Sequence, residues 1–272
     1  METYPPVPAE LLPADGRFGS GPPRIRPEQI EVLSQPLLMG TSHRKPPVKA
    51  VVGSIRAGLR ELFSLPEGYE VVLGNGGASA FWDVAATSLV RERAAFATFG
   101  EFGAKFATEV DKAPHLDAAI RVVGEAGTVS RLSGDETSED GLAPDVFAHP
   151  HHETSTGAVS PVTRIGGEDA LTLVDATSIA GAVGVDVAQT DAYYFSPQKA
   201  FASDGGLWVA LLSPAAMARA EELHSATDRW MPTFLDLSVA VKNSLKDQTL
   251  NTPAIATLIM LERQVAWMLE NG

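Results

Sequence analysis

Apolar runs four or five residues long alternate along this chain with stretches whose apolar residues recur at helical spacing. Val51, Ile55, Leu59 and Leu62 follow that spacing, so a helix is predicted from Pro47 to about residue 63, proline suiting a first helical turn. A buried strand over 70–73 ends in the glycine-rich turn 74–81, and a helix follows to about residue 91. A second strand over 94–97 leads through the turn 99–103 into a helix over 105–110. Residues 111–145 are polar and acidic and read as peripheral, with a weak strand at 120–123. Strands are further expected at 145–149, 170–174 and 208–212, with the segment 185–194 leading into the aromatic, strand-like run ahead of Lys199. Helices are expected at 27–35, 215–225 and 254–268, and 234–241 is mixed. Residues 1–23 are rich in proline and read as an irregular arm, either an ordered tail or a cover for an active site. Strand regularly alternating with helix is the layout of an open α/β sheet, whose ligands bind at the carboxyl ends of the strands.

A chain of 272 residues can bury one large core, or one core and a small appendage. It has no apolar run of about 18 residues, so no membrane span is expected. The N-terminal stretch carries prolines and acids where an export signal needs a basic and then an apolar stretch, which points to the cytoplasm. The lack of cysteine excludes disulfides, thiolate metal sites and cysteine catalysis. Lys and Arg number 21 against 34 Asp and Glu, a net charge of −13 that argues against a nucleic-acid partner. An anionic substrate therefore needs a local basic pocket, and His43, Arg44 and Lys45 form one compact basic turn. Arg44 suits bidentate binding of a carboxylate or phosphate; a charged loop ahead of a helix is the plainer alternative.

Lys199 follows Ser196-Pro197-Gln198 and precedes Asp204-Gly205-Gly206, which puts it on a turn at a strand's carboxyl end. A lysine desolvated there becomes an amine nucleophile; a loop lysine beside a buried strand is the alternative. Asp175 closes the strand 24 residues earlier, so both groups can face one crevice. The turn Gly74-Asn75-Gly76-Gly77-Ala78-Ser79 joins strand to helix as a phosphate cup would, although tight turns also use glycine for geometry alone. Phe102 stands on the next such turn, able to cover a flat ring or to cap the core. His149, His151, His152 and Glu153 suggest a metal site only weakly, because alternate residues of an extended chain face opposite ways.

The segments GSGPP (19–23), TSHR (41–44), GNGGAS (74–79), HETSTG (152–157), VDATS (174–178), SPQK (196–199) and LNTPA (250–254) stand in an order that resembles one family. It is that of the aspartate-aminotransferase-like, fold-type-I enzymes using pyridoxal 5′-phosphate, and within them the phosphoserine aminotransferases of actinobacterial type. The resemblance implies a three-layer α/β large domain with a mostly parallel sheet. It implies an arm over 1–22, a cofactor domain over 23–265, and at 266–272 the start of a linker to a small domain of about a hundred residues that supplies further substrate-binding Arg and His.

On the same resemblance Lys199 bonds the cofactor and moves a proton between the substrate's Cα and the cofactor, and Asp175 keeps the pyridine nitrogen protonated. Thr154 hydrogen-bonds near the ring and Phe102 stacks on it. Gly77, Ala78, Ser79 and Gln198 hold the phosphate, Asn251 and Thr252 reach it from the other subunit of a homodimer, and His43 and Arg44 grip the substrate's anionic groups. The implied reaction is amino transfer from L-glutamate to 3-phosphohydroxypyruvate in serine biosynthesis, with a phosphorylated intermediate of vitamin B6 synthesis as a further substrate of some relatives. The alternatives are another fold-type-I aminotransferase, such as one of serine-glyoxylate type, and a non-catalytic cofactor-binding module. Phe102, His152 and Ala200 stand where many relatives carry Trp, Asn and Asn.

Overall fold

The chain is described by a computed structural model over residues 5–17, 19–34, 38–125 and 127–272. The strands are β1 (Glu70–Asn75), β2 (Ala94–Thr98), β3 (Ile120–Val123), β4 (Val146–Pro150), β5 (His152–Glu153), β6 (Ala158–Val159), β7 (Leu171–Asp175), β8 (Ala192–Phe195) and β9 (Leu207–Leu212). Seven of them form one sheet in the order β1-β9-β8-β7-β4-β2-β3; β5 and β6 pair separately as a small hairpin. β9 runs antiparallel to both of its neighbours, and every other pairing in the large sheet is parallel. The strands β2, β4, β8 and β9 are buried along their whole length, and β7 up to its last residue Asp175, which is why they read as continuous apolar runs rather than as an alternation.

Helices cover both faces. On one side α3 (Ala78–Ser88), α4 (Glu101–Lys112), α5 (Pro214–His224) and α6 (Leu237–Ser244) build a layer in which Phe81, Trp82 and Phe106 meet Val72, Tyr194 and Trp208 of the sheet. On the other, α2 (Pro46–Leu62) and α7 (Ile255–Asn271) set Ile55, Leu59, Leu258 and Leu261 against Val71, Tyr193 and Phe195. The strand period of two sends Tyr193 and Tyr194 to opposite layers. Gly58 is what lets α7 lie close to α2, since a Cβ there would come within 2.6 Å of Val265. Among the described residues, no helix is long and apolar enough to cross a membrane.

Four local features differ from the sequence reading. The mixed segment 234–241 holds a single 3-10 turn (Thr233–Leu235) and then α6, whose start is capped by the Asp236 carboxylate accepting from the Val239 N–H. The turn expected over 99–103 is already helix from Glu101, so Phe102 belongs to the first turn of α4. The polar turn after β4 is the β5–β6 hairpin. The first helix, α1 (Pro27–Glu31), continues only as a 3-10 turn (Val32–Ser34); residue 35, like residues 1–4 and 18 of the arm, lies outside the described residues.

Two histidines at the end of β4 are buried, His149 and His151 each 6% exposed. Desolvation, followed by the neighbouring His149 and His152, pushes His151 down to about 4 from 6.5. A depressed histidine adds stability that is complete above the unfolded value and is lost as pH falls through the folded one, because the unfolded chain takes up the proton first. The urea midpoint should therefore decline from pH 6.5 to pH 4, and His151→Gln should decline less; an equal decline in both proteins would show that His151 carries no share.

Candidate active site

Strands β1, β4, β7 and β8 end at one edge of the sheet, and a cavity of about 240 Å³ opens there. Its walls bring together Gly77, Ala78, Ser79, Phe102, Thr154, Asp175, Gln198 and Lys199, with Trp82, Pro150, His152 and Thr177 completing them. Lys199 and Asp175, which reach this edge from adjacent strands, share the one compartment.

Asp175 is the last residue of β7, paired in register with Tyr194 of β8. Its Oδ2 accepts from Trp82 Nε1 and from the Tyr194 hydroxyl, each at 3.1 Å, and its Oδ1 accepts from the Thr177 N–H at 2.9 Å. Burial pushes the carboxyl above the ordinary carboxylate range, and the donors on Thr177, Trp82 and Tyr194 pull against that. Lys199 stands on the turn after Pro197 and is half-buried. The N-terminal segment packs over this turn: a Cβ added at Gly21 would overlap the Lys199 side chain and lie 2.8 Å from the Gln198 carbonyl oxygen, so only glycine fits.

The phosphate-cup candidate is the start of α3. Gly77 is its N-cap, no side chain caps it, and Gly76 takes φ +113°, a backbone conformation that favours glycine. The first N–H groups of the helix and the positive end of its dipole therefore face the cavity uncapped by a side chain. Gln198 Oε1 is buried without a hydrogen-bond partner among the described residues. The start of α4 is the opposite case. Fully buried Glu153 accepts from the Phe102 N–H at 3.1 Å and the Gly103 N–H at 3.0 Å, and Ser155 Oγ accepts from the Glu101 N–H at 2.8 Å. That clamp holds Phe102 in place and ties it to the hairpin that carries Thr154.

The histidines do not converge. His149 Nδ1 contacts the Pro150 carbonyl, His151 Nδ1 the Tyr193 hydroxyl and His152 Nδ1 the Ser178 hydroxyl, at 3.2, 3.0 and 2.7 Å. Nor do His43, Arg44, Asn251 and Thr252 line the cavity. They gather beside it: Thr252 Oγ1 meets His43 Nδ1 at 3.1 Å, exposed Arg44 donates to Gln248 Oε1 and the Leu250 carbonyl, and Asn75 Oδ1 accepts from the Asn251 N–H. Burial, and next the Arg44 charge, push His43 below 6.5, and its Nε2 is buried without a partner among the described residues.

Trp82, Thr177 and Tyr194 were not singled out from the sequence, and Glu153 was considered only as a weak metal-ligand candidate rather than as the cap of α4. Trp82 lies one helical turn after Ala78, which was signal enough to place it on the same face; Tyr194 required the β7–β8 register.

Comparison with known proteins follows the same lines. The Aminotransferase class-V family model matches residues 34–272. A Corynebacterium glutamicum phosphoserine aminotransferase is 52% identical to this chain, over 100% of it and 71% of its own length. A Mycobacterium leprae relative is 55% identical over 98% of this chain and 70% of its own length. A solved phosphoserine aminotransferase from Cytophaga hutchinsonii has a TM-score of 0.82 at 23% identity, covering 92% of this chain and 70% of that one. The fold, the sheet edge that carries the cavity and the extent of these matches agree that the chain belongs to the class-V aminotransferase family.

Proposed function

We propose that the chain acts as a phosphoserine aminotransferase, a cytoplasmic enzyme that moves the amino group of L-glutamate to 3-phosphohydroxypyruvate to give 2-oxoglutarate and O-phospho-L-serine. The observation that carries this reading is the meeting of Lys199 and Asp175 in one cavity, beside a helix start that no side chain caps. The relative from Corynebacterium glutamicum supports the choice of substrate.

The residues present fit pyridoxal 5′-phosphate, the cofactor of this family. An anion suits the start of α3, where the N–H groups of Gly77, Ala78 and Ser79 lie, and Gln198 in the same wall carries a side-chain NH2 that can donate to it. A flat ring suits the walls made by Phe102 and Trp82, and the Asp175 carboxylate suits a protonated ring nitrogen. When bound, the cofactor supplies an electron sink for the bond broken at the substrate's Cα.

The rest falls to the chain. Lys199 would hold the cofactor through Nζ and, once the substrate's amine has displaced it, would take the proton from the substrate's Cα and deliver it to the cofactor. Asp175 holds a proton on the ring nitrogen by opposing its charge. Thr154 orients the ring by a hydrogen bond near its edge, and Phe102 excludes water from one face. Lys199→Ala should lose the visible absorbance of bound cofactor together with all turnover. Asp175→Ala should stay folded and lose about a hundredfold or more in turnover, a size expected for preorganised charge support; unchanged turnover would refute its role.

His43, Arg44, Asn251 and Thr252 are read as serving the site of a second copy. A homodimer in which the 248–252 segment and the basic turn face the partner's cavity would supply the cationic groups a phosphorylated substrate needs. Mixing Lys199→Ala with Arg44→Ala protein, each inactive alone, should restore about a quarter of wild-type activity, because half of the dimers are hybrids and each hybrid has one intact site. No recovery would place Arg44 at the site of its own chain.

The substrate itself is tested by comparing acceptors. A single charge-assisted hydrogen bond to the substrate phosphate is worth about 1.5–3 kcal/mol, so kcat/KM for 3-phosphohydroxypyruvate should exceed that for pyruvate or glyoxylate by roughly tenfold or more. Equal values would leave an aminotransferase of the glyoxylate type. The fold alone does not choose, since a Bacillus subtilis ureidoglycine-glyoxylate aminotransferase has a TM-score of 0.74 with this chain.

A further inference from the structure

We propose that Tyr194 and Trp82 are positioning residues that act through Asp175, holding its Oδ2 with two neutral donors so that the carboxylate keeps one orientation and its charge at the floor of the cavity. The inference rests on the reading of Asp175 as the partner of the cofactor's ring nitrogen.

Geometry makes the assignment. The Tyr194 hydroxyl and Trp82 Nε1 come from different elements, β8 and α3, and both end 3.1 Å from the same oxygen. Neither donor is free to turn away. The Tyr194 ring is fully buried, stacked on Phe81 at 4.4 Å and met edge-on by Phe106 at 6.1 Å. The Trp82 ring lies parallel to Phe106 at 6.0 Å. Both donors stay neutral: an indole N–H does not ionise, and burial followed by the Asp175 charge holds the Tyr194 hydroxyl well above its ordinary value.

The arrangement answers a physical conflict. A buried carboxylate drifts toward its neutral form, and a neutral acid gives a protonated ring nitrogen nothing to oppose. Donors to the charged form oppose that drift without adding a positive charge that would repel the ring. Two on one oxygen, with the Thr177 N–H on the other, also stop the carboxylate from rotating. The other ionisable groups near Asp175 are His152 and Lys199, which share the cavity, and Tyr193 and His151, which pair with each other beside it. None of these is hydrogen-bonded to the carboxylate among the described residues, so the side-chain donors that orient it beside the Thr177 N–H are Tyr194 and Trp82.

The test uses Tyr194→Phe and Trp82→Phe in the full chain, each keeping an aromatic ring while removing the donor. Protein freed of cofactor and labelled at the aspartate γ-carbon is titrated by NMR, with the Asp175 signal assigned by its loss in Asp175→Asn. Each variant should titrate about one unit or more above wild type, and pyridoxal 5′-phosphate should bind roughly tenfold more weakly in equilibrium dialysis, as expected for a lost hydrogen bond to a charged group. The two effects should add in the double variant or exceed the sum.

Weaker cofactor binding with an unmoved Asp175 titration would mean that the rings act by packing alone, and would overturn the proposal. So would an unmoved titration with unchanged binding. If the titration shifts but wild-type protein binds no cofactor, the positioning role stands and the aminotransferase reading fails. Should one variant not fold, the titration of the other decides.

Discussion

The register between β7 and β8 is the constraint on which the site depends. It pairs Asp175 with Tyr194, and it sets Lys199 five residues beyond that pair on the turn that leaves the strand. A slip of one residue would turn every side chain of β8 to the opposite layer. Tyr193 and Phe195 would then leave the layer where both ring systems meet Phe63, and Tyr194 would lose its stack on Phe81. Burial of each large apolar side chain is worth about 1.5–3 kcal/mol, so three misplaced aromatics outweigh any gain from a new pairing. Core packing thereby fixes an alignment at the cavity: the buried tyrosine that fills one layer also ends on the Asp175 carboxylate.

Two helix starts lie at the same sheet edge, and the chain treats them differently. That of α4 is closed by the Glu153 carboxylate and by Ser155, which satisfy three consecutive N–H groups from Glu101 to Gly103. That of α3 has no side-chain cap. A carboxylate fills one helix start while the other is left without a side-chain cap, which favours an anion at α3 over α4. The net charge of −13 does not stand in the way. Exposed charges are screened beyond about 10 Å at ordinary ionic strength, whereas a helix start presents roughly half a positive charge in direct contact.

Much of the fold was legible because its signals are local. The apolar runs of β1, β2, β4, β7 and β9 are buried on both faces and stand out without any knowledge of neighbours, and glycine and proline mark where they stop. The mixed stretch holding α6 was not legible, because its serines face inward and its start depends on a cap from Asp236. The placement of Phe102 was misjudged for a similar reason: Glu153, 51 residues away in the chain, caps α4 and makes it helical from Glu101 on. The basic turn at His43 and Arg44 was legible as chemistry but not as location, since it packs against residues 248–252 rather than onto the cavity wall.

By itself the sequence determined which groups exist for chemistry and which strand ends carry them: one lysine on a turn after a proline, one aspartate closing the strand before it, a glycine turn leading into a helix, and no cysteine. Those are properties of residue type and local spacing, and short-range sterics and hydrogen bonding enforce them. The tertiary structure alone decided how the groups face one another. Strand register, the crossing of helices over the sheet and the reach of Glu153, Trp82 and Tyr194 to partners far along the chain depend on packing between segments, and no spacing along the chain records it.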